Sequence, residues 1–295
     1  MILVVGATGA LGSEICRQLV AEGEKVRAVV RPVSDPARVA ELKKLGIATV
    51  EADLKESASL AKVCSGVTSV ISTVSACPTP HQATDTIPDV DQTGQIHLVD
   101  AAQNAGVTHF VYVSYSHNFR THSPLTSAKR GVESHLMKSG MVYTILRPSF
   151  FMEVWLSPAL GFDYANAKAQ VYGTGHNKIS FISLVDVAHF AVESLSNPHA
   201  KNATLELGGP EALSPLEVIH LYEQAEHRSF TVQHVSEEAL EKQRIEATDP
   251  LQKTFPALMT DYAHGDDIDM TAMLKQFPRK LISVQDYIQH TMPIA

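Results

Sequence analysis

Gly6, Gly9 and Gly12 stand in the order GATGALG directly behind the apolar run 2–5, ahead of an amphipathic stretch that extends to about residue 22. A buried strand that turns on glycine into a helix leaves few folds open. Gly6 permits a tight exit from the strand, Gly9 lets a phosphate approach the backbone, and Gly12 lets the helix pack close to the sheet. The free N–H groups and positive dipole end of the helix then face the anion. With a further apolar run at 25–30, the unit predicts a dinucleotide turn built from Gly6, Thr8, Gly9, Ala10, Leu11 and Gly12.

The pattern continues in the same rhythm. Strands are expected at 2–5, 25–30, 47–50, 67–74, 107–113 and 142–147, and helices at 11–22, 36–45, 57–64, 91–105 and 126–139. Near-continuous apolar runs such as HFVYVS and VYTIL mark strands covered on both faces. The expected class is therefore α/β, a Rossmann doubly wound parallel sheet in the order 3-2-1-4-5-6 with helices on both faces. A smaller C-terminal α/β part should complete it. The expected domains are a nucleotide-binding one at 1–150 and a substrate-binding region at 151–295, packed on the first and partly interleaved with it.

After Pro148 the chain becomes aromatic and irregular, and Phe150, Phe151, Trp155, Phe162 and Tyr164 suit either a core or a pocket wall. A strand at 179–182, a helix at 184–196, a strand at 203–207 and a helix at 215–225 are expected next. Ser214, Pro215 and Glu217 form the N-cap, first turn and capping box of that last helix, and Asp186 reads as an early-helix carboxylate rather than a catalytic acid. A strand, two or three short helices and a terminal helix near 283–291 should fill the remainder.

A net charge of −8 gives no footprint for nucleic acid or for an anionic membrane, because Lys and Arg are outnumbered and form no dense block. Neither a leader-like start nor a run of membrane-spanning length is present, so a cytoplasmic protein is expected. The three cysteines, Cys16, Cys64 and Cys77, lack metal or redox spacing and read as small core residues of a reducing compartment. Fourteen histidines include no HxxxH or HExxH pair, and no metal is expected.

The second strand ends on Arg31, where an NAD-selective site places an acid for the ribose 2′-hydroxyl. A guanidinium there can pair bidentately with the 2′-phosphate of NADP(H), or can simply be a solvated strand-end charge. Arg38 is a second candidate contact. Asp53 and Leu54 end the third strand, in a pattern that resembles the dipeptide lying against the adenine in related reductases, while Asp53 can equally cap the following helix. The small residues at the end of the fourth strand, with Thr73, Val74 and Ser75, leave room for a ribose.

Lys129 has Leu125 four residues before it, where the ordinary short-chain dehydrogenase acid would be a Tyr. The early GxxGxxG spacing and the stretch KRGVESHLMKSGMVYTILRPSFFME resemble the atypical short-chain dehydrogenase/reductases, in the branch of the isoflavone reductase-like and NmrA-like proteins. The resemblance runs over essentially the whole chain. In the isoflavone reductase-like members a Lys lies eleven residues before the Gly preceding the sixth strand, and Lys129 stands eleven before Gly140. The resemblance implies that Lys129 holds the nicotinamide ribose and assists proton transfer, with Ser114 as the strand-end hydroxyl. Tyr115, His117 and His122, in the loop that follows, are candidates to replace the missing Tyr as proton donor. Pro148, Ser149 and Phe150 would place backbone groups and a ring against the nicotinamide, whereas Arg147 reads as a buried ion-pair partner.

Two functions follow from this reading. One is an NADPH-dependent reductase that passes hydride to a small, largely apolar quinone, enone, imine or aromatic ketone. The other is a non-catalytic NADP(H)-binding redox sensor or assembly factor of NmrA-like type. Nucleotide-sugar epimerase chemistry is disfavoured by the missing Tyr–Lys pair. The oligomeric state stays open.

Overall fold

The computed structural model describes residues 1–77, 82 and 84–291. Two compact units make up the chain, and the division does not fall at a single boundary near 150. The first comprises Met1–Ser114, Pro124–Arg147 and Val187–Leu205, and the second comprises Tyr115–Ser123, Pro148–Asp186 and Glu206–Ala295. The last residues of the expected second domain, 292–295, lie outside the described residues.

In the first unit, β1 (Ile2–Val5), β2 (Val26–Val30), β3 (Ala48–Glu51), β4 (Ser69–Ser72), β5 (His109–Val113) and β6 (Val142–Pro148) take the order β3-β2-β1-β4-β5-β6, and a seventh strand, Ala203–Leu207, extends the sheet beyond β6. The ladders from β3 through β6 are parallel. All four residues of β1 and all five of β5 are buried, as a sheet covered on both faces requires. The expected 67–74 strand is shorter at its start because the amide of Val67 bonds to the carbonyl of Cys64.

Helices α1 (Ala10–Ala21), α2 (Pro36–Lys44), α3 (Ser57–Cys64), α4 (Gln95–Asn104) and α5 (Pro124–Met137) connect these strands. On α1, Gly12, Ile15, Cys16 and Leu19 form the buried face at helical spacing. Asp35 caps α2 through the amide of Ala37, with Pro36 in the first turn. Where one helix was expected at 91–105, a π-helical stretch, Ile87–Gly94, leads into α4. Gly94 makes that stretch possible, since a Cβ there would lie 2.8 Å from the Asp89 carbonyl oxygen and from Cβ of Leu54.

The second unit contains a three-stranded sheet. Lys168–Tyr172 pairs antiparallel with Phe162–Asp163 and parallel with Thr231–Val235. The helix Pro215–Glu226 carries the expected Ser214–Glu217 capping box. Pro250–His264 is longer than the short helices expected, with 15 residues. No strand forms at 179–182. The amides of Ile179, Ser180 and Ile182 bond instead to the carbonyls of Leu213, Asp266 and Phe150, three separate segments that give no common ladder. The helix expected at 184–196 is Leu184–Glu193. Fully buried Asp186 accepts from Nε of Arg279 at 2.9 Å and from the amide of Ile282 at 2.8 Å, so it anchors a neighbouring segment rather than serving only as an early-helix charge.

Cys16 and Cys64 are buried on α1 and α3, and burial pushes their thiols up to about 12 and about 11. Among the described residues, no helix is long and apolar enough to cross a membrane.

Candidate active site

The strand order reverses between β1 and β4, and the glycine turn opens at that point. Gly6 has φ +88°, and a Cβ on it would lie 2.5 Å from Oγ1 of Thr73. At Gly12 the added atom would stand 2.1 Å from the carbonyl oxygen of Gly6, so helix and turn touch backbone to backbone. Gly9 differs. Its φ of −77° suits any residue, and its Cβ would meet only the Gly6 oxygen, at 3.2 Å. The Gly9 position is therefore open on its outer side, at the N-cap of α1, where no side chain caps the free N–H groups. This cradle fits a diphosphate.

Around it lies a cleft of about 180 Å³ in the first unit, lined by Gly6, Thr8, Gly9, Ala10, Leu11, Gly12, Arg31, Asp53, Leu54, Thr73, Val74 and Ser75. These residues come from the carboxyl ends of β1 to β4 and the turns after them. Arg38 donates to the Thr8 carbonyl at 3.0 Å, so its guanidinium lies against the glycine turn. Asp53 accepts from the amide of Lys55 in a tight Asx turn. It does not cap α3, whose N-cap is Glu56.

Arg31 is not a solvated strand-end charge. Its Nη1 lies 2.9 Å from Oδ2 and 3.1 Å from Oδ1 of Asp85, while Nζ of Lys55 lies 2.7 Å from Oδ1 of the same carboxylate. Burial alone would raise the pKa of Asp85, but the bonds from Lys55 and Arg31 prevail and hold it below the usual carboxylate range.

The π-helical stretch and the first residue of α4 each turn a polar residue inward. Gln95, fully buried, accepts from the hydroxyl of Ser72 at 2.9 Å and donates to the carbonyl of Val74 at 3.1 Å. Asp91, also fully buried, accepts from the amide of Ala76 at 2.9 Å through Oδ2. Its other oxygen, Oδ1, lies 3.5 Å from Nζ of Lys129. Lys129, on α5, is only 4% exposed and also lies 5.2 Å from the centre of the Tyr112 ring. Leu125, one turn before it, is buried, so no hydroxyl stands in the place of the usual Tyr.

Ser114 is held by ionic neighbours: Arg130 approaches its hydroxyl at 3.5 Å, and the hydroxyl bonds to the Glu133 carboxylate. Glu133, which is buried, pairs in turn with Arg130 at 2.6 Å and Arg147 at 2.5 Å, so Arg147 is an ion-pair partner as expected, but a partly buried one.

In the second unit, Tyr115 is buried and stacks on Phe119 at 5.0 Å. His117 and His122 are exposed. Pro148 is buried, and its carbonyl accepts from the amide of Ser116 at 2.9 Å. Phe150, 1% exposed, packs among Phe119, Trp155 and Tyr262 with ring centres 4.5, 4.6 and 5.2 Å away. Phe162 and Tyr164 belong to a second cluster around Tyr222. The aromatic segment after Pro148 thus divides between two cores.

Four residues escaped the sequence reading: Lys55, Asp85, Asp91 and Gln95. Asp91 and Gln95 left one signal, two polar residues four apart on a stretch whose other members alternate as a helix face. Lys55 and Asp85 left none.

The sequence pattern of the NmrA-like family matches residues 1–288. The chain belongs to that family. The photosystem II assembly factor Ycf39 of Trieres chinensis is 32% identical over 241 residues, 79% of this chain and 72% of its own. The NAD(P)H azoreductase of Xenophilus azovorans is 35% identical over 224 residues, 74% of this chain and 71% of its own. Among solved structures, the NADPH-dependent quinone oxidoreductase of Escherichia coli, in complex with NADPH, has a TM-score of 0.78 at 22% identity, covering 98% of this chain and 99% of that one. This likeness establishes the family's Rossmann-type fold.

Proposed function

We propose that this member of the family is an NADPH-dependent reductase that passes hydride to a small, largely apolar acceptor: a quinone, enone, imine or aromatic ketone. The burial of Lys129 against Asp91 carries the reading, because a cation held this deep is fixed in place rather than solvated. When bound, the nicotinamide supplies the hydride. The amides at the start of α1 and the open side of Gly9 receive the diphosphate, and Arg31 pairs with the 2′-phosphate. Asp91 joins the Ala76 backbone to Lys129, so the loop after β4 and the ammonium are positioned together. Lys129 would hold the nicotinamide ribose and a proton for the acceptor's oxygen or nitrogen. The azoreductase relative supports this reading and adds azo compounds to the acceptors worth testing.

Leu125 in the place of the Tyr, together with the relationship to Ycf39, favours a second reading, a non-catalytic NADP(H)-binding sensor or assembly factor. NADPH oxidation against a panel of quinones, enones, imines and azo compounds separates the two. Turnover of any acceptor establishes the reductase. Tight NADPH binding with no turnover across the panel establishes the sensor.

A further inference from the structure

We propose that Asp85 stands in the place of the ribose 2′-phosphate and so sets how strongly NADPH is preferred over NADH. This inference rests on the cofactor reading above. A carboxylate gripped by a guanidinium and an ammonium is the arrangement an incoming phosphate would itself adopt. Here both cations are already engaged. Arg31 contacts the two oxygens of Asp85 at 3.1 and 2.9 Å, Lys55 contacts Oδ1 at 2.7 Å, and the amide of Gln82 donates to Oδ2 at 3.1 Å. Asp53 completes the cluster, 3.8 Å from Arg31 and 3.9 Å from Lys55.

Two positive and two negative groups lie together, so a 2′-phosphate approaching the cluster meets a weaker attraction than Arg31 and Lys55 alone would offer. Asp85 is also the innermost member, since its side chain is 2% exposed against 22% for Arg31 and Lys55. Arg31 and Asp85 line the same cleft, and its volume of about 180 Å³ is below the roughly 300 Å³ at which small-molecule pockets usually begin. That end of the cleft is filled by the protein's own anion. NADPH must displace the carboxylate from Arg31, because a phosphate dianion and Asp85 cannot share the guanidinium without repulsion. NADH makes no such demand, since its 2′-hydroxyl can donate to a carboxylate that stays paired. Asp85 therefore lowers the affinity for NADPH and leaves that for NADH nearly untouched.

Dissociation constants of NADPH, NADH, adenosine 2′,5′-bisphosphate and 5′-AMP, measured by titration calorimetry on the full chain, test this. Asp85→Asn should tighten NADPH and the bisphosphate about tenfold or more, the range of one regained charge-assisted contact, and move NADH and 5′-AMP less than about twofold. An unchanged or smaller preference for NADPH over NADH in folded Asp85→Asn overturns the inference. Asp85→Ser, which keeps an acceptor for the Gln82 amide, gives the same comparison if the Asn variant folds poorly. Arg31→Ala separates this inference from the reading beneath it. If that variant abolishes the NADPH preference while Asp85→Asn changes nothing, only the role of Asp85 falls. If Arg31→Ala leaves the preference intact, the phosphate is not bound at this strand end.

Discussion

Nζ of Lys129 lies 3.5 Å from Oδ1 of Asp91, and neither side chain is more than 5% exposed. Asp91 reaches the Ala76 amide with its other oxygen, so one carboxylate couples the lysine on α5 to the loop that leaves β4 at the rim of the cleft. Chain segments from three parts of the first unit meet at a single charge pair.

Lys129→Ala is expected to slow hydride transfer by ~10²-fold or more while NADPH stays bound with modest weakening, the pattern of a lost proton-handling group. Single-turnover oxidation of bound NADPH by any active acceptor measures it. The same substitution leaves Asp91 buried without its cation and should destabilise the fold by ~3–5 kcal/mol. Asp91→Asn in the same chain should restore part of that loss, which makes the double variant the better vehicle for the rate measurement. Equal rates with and without the ammonium would move the proton donor to Tyr115, His117 or His122.

The glycines of the turn should separate binding from folding. Gly9→Val is expected to remain folded at a cost of roughly 1–3 kcal/mol, because its Cβ would press on the Gly6 carbonyl oxygen at 3.2 Å and meet nothing else, yet to lose NADPH binding. Gly12→Val should lose more than about 3 kcal/mol, beyond ordinary overpacking, because its Cβ collides with the Gly6 backbone. Thermal unfolding alongside a fluorescence titration with NADPH resolves the two. NADPH bound normally by folded Gly9→Val would place the dinucleotide elsewhere.

NADPH should bind the unaltered protein about tenfold or more tightly than NADH, and Arg31→Ala should bring the two affinities together, since one charge-assisted contact is at stake. Equal affinities in the unaltered protein would leave Arg31 as a structural partner of Asp85 alone.

His109 gives the first unit a pH dependence. Burial, reinforced by the charge of Lys201, lowers its pKa from 6.5 to about 4. Its Nε2 lies 2.9 Å from Oγ1 of Thr144, whose own proton goes to the Ala200 carbonyl, so the ring is held as the neutral Nε2–H form. Between about pH 6.5 and 4 the unfolded chain binds a proton that the folded one refuses. Stability must therefore fall as pH falls through that window, with a slope of at most ~1.4 kcal/mol per pH unit from this group. Denaturant melts across the window should show a shallower slope for His109→Gln, and an identical slope would remove His109 as the cause.

The order of the six strands from β3 to β6 was legible because each strand carries its own apolar run and each βα step its own punctuation, as at Gly140 before β6. The capping box at Ser214 was legible for the same local reason. The strand expected at 179–182 was not, since apolar alternation describes a segment's faces and not which neighbours take its hydrogen bonds. The π-helical start before α4 was hidden as well, because its residues fit a helical period of either kind.

By itself the sequence determined the glycine turn. The spacing of Gly6, Gly9 and Gly12 behind a buried strand predicts the strand–turn–helix that forms, and the strand-end residues Arg31, Asp53 and Thr73 follow from where each apolar run stops. Tertiary structure alone decided which charges meet. Arg31 and Asp85 lie 54 residues apart, Lys55 and Asp85 lie 30 apart, and Asp91 finds Lys129 only because β4 and β5 are neighbours in the sheet. A charge is recognised in a sequence by its type, but its partner is set by the order in which strands assemble, and in this protein the partners decide whether Arg31 is available to a ligand and where Lys129 is held.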